Sequence, residues 1–447
     1  MKKEWILTLA SVVITVVVAL GLVRWLAPGL LGYAVDQRLV QVSEEVPPFF
    51  NNIFREDDLN TDNILVNDPV LVARGRPLFP DIQGMGPNDI LGFRNRNVPN
   101  SPNIIVIGDS QTYGNNAQLE LNWPSQLEKA LFPDSLGRIY NMSTGAWGGV
   151  NYLEIIDTAL HFNPQVIIVA FYMGNDSYSD FRNTYSIDAY AYLRPDLTLT
   201  STDQPQFHVP SDPDDLLDVK FSDGVTTVFT PGYRLSANDR SEPSVLAGYD
   251  IMARTAVLMA EKAASQGVKI VFTIIPTKEI VYSRKIDVEG ISLGEEFQTL
   301  INDEKLNTQE LAEALRQIDG ALYVDIVAQM QEAAMSSKQL YPPDSNGHPF
   351  AEGYGVIAKS LLDAVNQAFT MPMSGAVGLT EDGELARIVV LTNEGLWDVP
   401  TVDILLENNW DLTQIPAIPH TWINNFPYLG TINEVDPERF SPEALGL

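Results

Sequence analysis

A serine, an asparagine and a histidine stand at three points of this chain where a loop follows a predicted element. Ser110 lies in the turn GDSQTYG, Asn175 follows the apolar run QVIIVAFYMG, and His348 lies in YPPDSNGHPF with Asp344 four residues before it. A serine hydroxyl becomes an effective nucleophile when a base takes its proton and a third group orients that base. These residue types therefore predict covalent catalysis by Ser110, provided that the fold brings the loops together.

The other candidate groups fit structural roles. The remaining histidines end a predicted helix or lie in proline-flanked loops: His161, His208 and His420. The carboxylates near strand ends lack the spacing of a metal site and are predicted to serve in turns and caps: Asp109, Asp176 and Asp180. Lys278 and Glu279 follow another apolar run, where they either touch substrate or form an ion pair that positions the loop. We expect neither a metal nor a cofactor.

Five short apolar runs alternate with segments of helical periodicity between residues 103 and 369. The runs are NIIVIG, RIYNM, QVIIVAFY, VKIVFTII and ALYVDI. Strands that are apolar on both faces are typical of a parallel sheet with helices on both sides. Ligands of such sheets bind beyond the carboxyl ends of the strands. The pattern therefore predicts chemistry just after VIGDS, after FYMGND and near the fifth strand.

Four motifs in order carry a resemblance to a known family. GDSQTYG, NMSTGAWGG, GND and a loop with Asp and His before the last helix resemble the SGNH/GDSL hydrolases, from about Asn103 to Phe369. The text DILGFRNRN resembles the lead-in of bacterial members related to O-acetylation of cell-surface polysaccharides. The resemblance implies an α/β fold, a flavodoxin-like parallel sheet with helices on both faces.

The resemblance also implies a role for each site residue. Ser110 would be the nucleophile, and its backbone N–H would be the first donor of the oxyanion hole. Asn175 would supply a side-chain donor, and His348 would be the general base. The second backbone donor would be the amide of Gly145, with Ala146 as the alternative.

The third member of the catalytic set departs from the family pattern. The family usually has an aspartate three residues before the histidine, but this chain has Ser345 there. We predict that Asp344 orients the imidazole through a loop that is one residue longer. The alternative is a Ser–His dyad in which a backbone carbonyl or Asn346 orients the imidazole.

Composition excludes several classes of partner and site. The chain has 447 residues and a formal charge of -30, which argues against nucleic acid as a partner because its phosphates would be repelled. The same charge disfavours a polyanionic substrate unless a local basic patch exists. The absence of cysteine excludes disulfides, thiolate metal sites and a cysteine nucleophile.

The N-terminus carries an uncharged apolar run from Trp5 to Val23, preceded by Lys2 and Lys3. A membrane-spanning helix needs about 20 such residues, whereas the apolar region of a cleaved signal peptide has about 7–15. We therefore predict a short cytoplasmic tail (1–4) and a transmembrane signal anchor (5–24), with the rest extracytoplasmic. A cleaved signal peptide is the alternative, and it would export the same residues.

The remaining boundaries follow from composition. Residues 25–100 are rich in Pro, Asn and Asp and are predicted to be an extracytoplasmic spacer. Residues 101–370 form the predicted hydrolase domain. Its acidic insertion, 186–243, is predicted to be either a cap over the site or a solvated loop. Residues 371–447 form a C-terminal extension to which no function is assigned.

These features together predict a serine esterase outside the membrane. It would remove short acyl groups, above all acetyl, from a polysaccharide or glycolipid through an acyl-serine intermediate. The first alternative is an O-acyltransferase that passes the same acyl group to a sugar hydroxyl. The second is a non-catalytic assembly protein of the cell surface that keeps the fold.

Overall fold

A computed structural model describes most of the chain from residue 63 onward. The described residues are 63–68, 70–82, 84–99, 102–133, 137–206, 209–210, 215–370, 375–381, 384–392, 395–410, 417–419 and 428–445. The predicted signal anchor at 5–24 lies outside them. Within the described ranges, no helix combines the length and the apolar character needed to cross a membrane.

Strands and helices alternate through the central part of the chain. The strands are β1 Leu65–Asp68, β2 Val72–Gly75, β3 Ile104–Gly108, β4 Ile139–Asn141, β5 Val166–Tyr172, β6 Leu217–Lys220, β7 Thr226–Phe229, β8 Lys269–Ile275, β9 Ala321–Val324, β10 Gly375–Glu381, β11 Glu384–Leu391, β12 Leu396–Val399, β13 Ala417–Pro419 and β14 Tyr428–Thr431. The helices are α1 Ser110–Tyr113, α2 Trp123–Leu131, α3 Gly149–His161, α4 Asp176–Ser186, α5 Pro231–Leu235, α6 Pro243–Ser265, α7 Lys278–Glu289, α8 Glu295–Arg316, α9 Val327–Ala334, α10 Ala351–Thr370, α11 Val402–Glu407 and α12 Pro437–Phe440.

The central sheet has the order β4-β3-β5-β8-β9, and every pair in it is parallel. Numbered along the chain this order is 2-1-3-4-5, the flavodoxin-like arrangement. All five predicted strands are present, so the predicted sheet is confirmed. The order reverses between β3 and β5, and a crevice therefore opens at their carboxyl ends.

Helices cover both faces of this sheet because its strands bury alternate side chains on opposite sides. Ile105 and Ile107 of β3 belong to one core, which includes residues of α3, α4 and α6. Ile104 and Val106 belong to the other core, which includes residues of α2, α7 and α10. With both faces buried, the strand ends are left as the place where polar side chains meet solvent.

Part of the predicted spacer at 25–100 packs on the domain, within the described residues 63–68, 70–82 and 84–99, so this part is not an extended linker. The strands β1 and β2 form an antiparallel hairpin, and Leu71 between them is buried in the core of the central sheet. The side chain of Asn151 donates to the carbonyl of Leu71 at 2.9 Å, and the indole of Trp147 donates to the carbonyl of Ala73 at 2.7 Å. Side chains of the domain thus satisfy a backbone whose composition is typical of a linker.

Arg94, from the same segment, fixes the turn that follows β3. Its guanidinium is fully buried and donates to the carbonyls of Gly86 at 2.7 Å, Tyr113 at 3.2 Å and Ala117 at 2.7 Å, and to that of Gly114. Burial lowers the pKa of Arg94 from its ordinary value. These carbonyls replace the water that the guanidinium loses on burial. Through them, Arg94 holds the end of the turn that contains Ser110.

The acidic insertion at 186–243 folds against the site. It contains α5 and the antiparallel hairpin of β6 and β7. Its residues Pro210, Thr230, Tyr233 and Arg234 line the same cavity as Ser110. The insertion therefore forms one wall of that cavity.

The C-terminal extension has tertiary structure of its own. Its sheet has the order β13-β10-β11-β12-β14. A separate core there contains Val390, Leu405 and Trp410, and the Trp410 indole donates to the carbonyl of Phe440 at 2.8 Å. The residues beyond α10 are thus more than an irregular tail.

Asp180 on α4 caps the first turn of the neighbouring helix α3. Its two carboxylate oxygens accept the backbone N–H groups of Gly149 at 2.9 Å and Val150 at 2.8 Å. A Cβ at Gly148 would lie 2.7 Å from Asp180 Oδ1, so glycine permits this close approach. The contact joins the turn after β4 to the helix that follows β5.

We predict that Asp180→Ala destabilises the domain, since two buried N–H groups lose their acceptor. The expected loss is about 2 kcal/mol or more, which corresponds to about 4 °C or more in melting temperature for a domain of this size. Thermal unfolding followed by circular dichroism measures it. The matched control is Asp319→Ala, because Asp319 is exposed and should change the melting temperature by less than about 1 °C. Equal melting temperatures for both variants would contradict the capping role.

Candidate active site

The turn after β3 presents the hydroxyl of Ser110 above the carboxyl end of the sheet. Ser110 is the first residue of the short helix α1, and Asp109 caps it by accepting the N–H of Gln111 at 2.8 Å. The helix ends at Gly114, whose φ of 87° is in the left-handed region that favours glycine. The sequence GDSQTYG therefore encodes one tight turn with the serine at its start.

His348 meets this serine from the other end of the domain. Its Nε2 lies 2.8 Å from Ser110 Oγ, and its Nδ1 lies 2.8 Å from Asn346 Oδ1. The same Asn346 atom accepts the backbone N–H of His348 at 3.0 Å, so it must be the amide oxygen. An acceptor at Nδ1 requires that nitrogen to carry the proton. Nε2 then has the free lone pair that can take the proton of Ser110.

The prediction that Asp344 orients the imidazole is corrected by this geometry. Asp344 Oδ1 accepts the backbone N–H of Asn346 at 2.9 Å and so closes a local turn. Asn346 has the role that was predicted for Asp344, as in the dyad alternative. The physical reason is the turn that Asp344 closes, because its carboxylate is engaged by the N–H of Asn346 while Asn346 Oδ1 accepts from both the ring and the backbone of His348.

Lys278 holds the loop that carries His348. Its ammonium is buried and donates to the carbonyl of Asp344 at 2.9 Å and to that of Asn346 at 3.2 Å. The side chain of Gln111 donates to the carbonyl of Gly347 at 3.2 Å. Of the two predicted roles for Lys278, the structure therefore favours positioning of the loop, through carbonyls rather than through an ion pair.

The surroundings of His348 keep its imidazole neutral. Burial lowers its pKa to about 4, and the positive charges of Arg234 and Lys278 lower it further. A general base must be unprotonated to accept a proton. At neutral pH, His348 is therefore in the form that the serine needs.

The predicted oxyanion donors lie around Ser110. A Cβ built on Gly145 would lie 3.8 Å from the Cβ of Ser110, so this glycine borders the nucleophile. Ala146 lines the cavity and has a φ of 64°, an uncommon conformation for a residue with a side chain. Asn175 lines the same cavity at the start of α4. Ser110, Asn175 and the turn at Gly145 are thus brought together as predicted, and both candidates for the second backbone donor remain adjacent to the site.

The nearby carboxylates serve structure, as predicted. Asp176 Oδ2 accepts the backbone N–H of Tyr172 and the hydroxyl of Tyr152, each at 2.9 Å. Burial raises the pKa of Asp109 to about 7 and that of Asp176 well above its ordinary value. In the part of the chain that the structure describes, no group of three or more His, Asp or Glu residues is placed to hold a metal ion.

The site opens into a cavity of about 570 Å³. Ser110, His348 and Asn346 lie on one side of it, and Arg182 and Arg234 also line it. This volume is within the range of small-molecule sites. The cavity can therefore admit a substrate group considerably larger than an acyl chain of two carbons.

Sequence reasoning did not single out Arg182 or Arg234. Arg234 lies in the insertion, and its closeness to His348 depends on how that insertion folds back. Arg182 could have been found from helical spacing, because Tyr178, Ser179 and Arg182 follow Asn175 by 3, 4 and 7 residues, and all four line the cavity. Of the other histidines, His161 is exposed, while His208 and His420 lie outside the described residues.

Comparisons with known proteins find similarity to solved structures. No family model matches the chain, and no curated protein matches it. A protein of the lipolytic G-D-S-L family from Desulfitobacterium hafniense aligns at 14% identity over 58% of this chain and 97% of its own, with a TM-score of 0.33. A GDSL-like lipase from Bacteroides thetaiotaomicron aligns at 11% identity over 59% and 88%, with a TM-score of 0.30. A catalytic mutant of an acetylxylan esterase from Geobacillus stearothermophilus aligns at 12% identity over 60% and 94%, with a TM-score of 0.33. At such values the likeness assigns no function to this chain.

We predict that Asn346, and not Asp344, controls the reactivity of Ser110. Without the amide oxygen at Nδ1 the imidazole loses its orientation, so Asn346→Ala should slow labelling of Ser110 by a fluorophosphonate by about 10²-fold. Asp344→Ala removes only a turn contact and should slow it by less than about fivefold. Labelling rates measured by mass spectrometry decide between them, and the reverse ranking would restore Asp344 to the catalytic set.

The lowered pKa of His348 sets the acid limit of this reactivity. Because the neutral imidazole is the active form, the labelling rate should be constant at neutral pH and fall as the pH drops through about 4. Lys278→Met removes a positive charge and should move this midpoint to higher pH. The shift is expected even if the variant also changes the labelling rate at neutral pH. Lys262→Met, at a partly exposed lysine paired with Asp157, should leave the midpoint in place. A midpoint near 6.5 in the unmodified chain would contradict the proposed environment of His348.

Proposed function

We propose that this protein is a serine esterase that removes short acyl groups, above all acetyl, from an extracytoplasmic polysaccharide or glycolipid. The observation that carries the proposal is the relay from Asn346 Oδ1 through the His348 ring to Ser110 Oγ, with both contacts at 2.8 Å. Such a relay lets a hydroxyl attack a carbonyl carbon at neutral pH. Its residues line a cavity, which gives a substrate access to it.

The reaction has two steps, formation of an acyl-serine and its hydrolysis. In the first, Ser110 Oγ bonds to the acyl carbon while His348 Nε2 takes its proton, and the ester C–O bond breaks as that proton passes to the leaving alcohol. In the second, water attacks the acyl-serine, His348 takes a proton from it, and Ser110 leaves with that proton as the free acid departs. The N–H of Ser110, an amide of the Gly145 turn and the Asn175 side chain would stabilise the oxyanion in both steps.

The character of the cavity supports a short acyl group on a sugar. Its described lining combines polar side chains with tyrosine rings and contains no Leu, Ile, Val or Phe. A long acyl chain would need such apolar lining. Tyr178 and Tyr233 line the cavity, are partly exposed, and offer ring faces on which a sugar can stack. A small acyl group on a bulky polar alcohol fits these surroundings best.

The proposed location rests on the sequence of the N-terminus. An uncharged run of 19 residues preceded by two lysines supports an anchor with the catalytic domain outside the membrane. A polysaccharide or glycolipid ester would be available there.

We predict that Ser110→Ala and His348→Ala each reduce hydrolysis of 4-nitrophenyl acetate by at least about 10³-fold, since the relay acts as a unit. Release of nitrophenol, compared among the unmodified chain and both variants, measures this. 4-Nitrophenyl decanoate should be a poorer substrate than the acetate.

The control for general damage is Ser222→Ala, at a serine outside the cavity lining. It should keep full activity. No turnover by the unmodified chain, together with no fluorophosphonate labelling of Ser110, would overturn the proposal. Labelling with slow turnover that is accelerated by an added sugar acceptor would replace the esterase by an O-acyltransferase with the same acyl-enzyme.

A further inference from the structure

The charge of the cavity differs from that of the whole chain. The chain carries a formal charge of -30, yet the described residues that line the cavity include two arginines and neither aspartate nor glutamate. Arg182 and Arg234 lie on different segments, α4 and the insertion, which converge only in the folded domain. The cavity is thus a local basic site on an acidic protein.

Arg234 is buried without a full set of partners. It is 7% exposed, and its Nε has no hydrogen-bond partner among the described residues. Glu279 Oε2 lies 3.8 Å from that Nε, which is beyond hydrogen-bond distance. The hydroxyl of Tyr172, which also lines the cavity, is likewise buried and without a partner in the described part of the chain. Hydrogen-bonding capacity therefore remains unused beside the cavity, on Arg234 and Tyr172 as donors and on Glu279 Oε2 as an acceptor.

The Arg234 guanidinium lies beside the loop of the catalytic base. A Cβ at Gly347 would lie 2.3 Å from Arg234 Nη2 and 3.5 Å from the Tyr172 hydroxyl. The absence of a side chain at Gly347 leaves room for the guanidinium in this position. The positive charge is therefore fixed close to His348, whose pKa it lowers.

Arg182 supplies a second charge farther from the reacting serine. It is half-buried, its guanidinium lies 5.9 Å from the centre of the Tyr178 ring, and no carboxylate of the described residues pairs with it within 4 Å. Seven residues of helix separate it from Asn175, which is about 10 Å along the axis. This is a distance that a disaccharide spans. A charged group on the alcohol part of an ester could reach Arg182 while the acyl group lies at Ser110.

Arg234 forms a buried ion pair with Glu279 at 3.8 Å, whereas the other carboxyl groups near the cavity do little to cancel the charge of Arg182. Burial raises the pKa of Asp109 and of Asp180 to about 7 and that of Asp176 well above its ordinary value. Each of them thus holds a proton more readily than a free carboxyl group. The guanidinium of Arg182 keeps its charge with no carboxylate of the described residues within 4 Å, so the potential on its side of the cavity favours an anion.

We propose that the natural ester is anionic, with a carboxylate or phosphate group on its sugar that binds Arg182. Guanidinium binds both groups through paired hydrogen bonds. This inference rests on the proposed esterase function and names its substrate class. Steering by the cavity charges would bring such an ester to the site despite the acidic surface.

The test compares matched esters on the full chain in a non-ionic detergent. The substrates are methyl glycosides of a disaccharide that is O-acetylated on one sugar and has glucuronic acid, glucose or glucose 6-phosphate as the other sugar. The measured quantity is the kcat/KM ratio of each anionic ester to the neutral one. We expect a ratio of at least about tenfold for one of the anions. The anionic ester that gives this ratio shows whether the natural sugar carries a carboxylate or a phosphate. The ratio should fall with added salt.

Arg182→Gln should bring this ratio close to one. The control is Arg284→Gln, at an exposed arginine that pairs with Glu332 away from the cavity, and it should leave the ratio unchanged. A ratio of one or less in the unmodified chain, with neutral esters still turned over by Ser110, would overturn the anionic substrate and leave the esterase standing. If no ester is turned over and Ser110 is not labelled, the proposed function is overturned, and this inference with it.

Discussion

The hydrogen bond between Ser110 Oγ and His348 Nε2 joins two loops that are 238 residues apart in the chain, and the buried polar groups around it hold its two ends in place. At the serine end, Arg94 binds the carbonyls of the turn after β3. At the histidine end, Lys278 binds the carbonyls on either side of Ser345. Both cations bond to backbone oxygens, so they fix loop shape without placing a carboxylate near the base. A contact of such long range can be stable only because both loops are fixed independently.

Much of the fold and part of the site can be predicted from the sequence, because both depend on local pattern. Five apolar runs specify five parallel strands, and the strand-end rule brings Ser110 and Asn175 together at the point where the strand order reverses. His348 follows from its loop before the last helix. These predictions succeed because the carboxyl ends of parallel strands share one edge, whatever their separation in sequence.

The predictions that failed depend either on the detailed geometry of one short loop or on contacts between segments that are far apart. Spacing alone could not show that Asp344 bonds to the backbone of Asn346 rather than to the imidazole, since both geometries suit a short loop. The composition of residues 63–99 hides their packing, because their carbonyls are satisfied by side chains of the domain. Arg234 approaches the site only through the folding of the insertion. Hydrophobic periodicity carries no information about contacts between distant segments.

The charges around His348 also bear on the choice between water and a sugar hydroxyl as the second reactant. The imidazole becomes positive as it accepts a proton, and burial and Arg234 both oppose that charge. An anionic group bound in the cavity would offset Arg234 and make His348 a stronger base while the substrate is in place. Once the anionic alcohol departs, the base would weaken again, and attack by water on the acyl-serine would slow. A second anionic sugar would restore the base as it binds. Partition between hydrolysis and transfer would then depend on whether an anionic acceptor refills the cavity before water reacts.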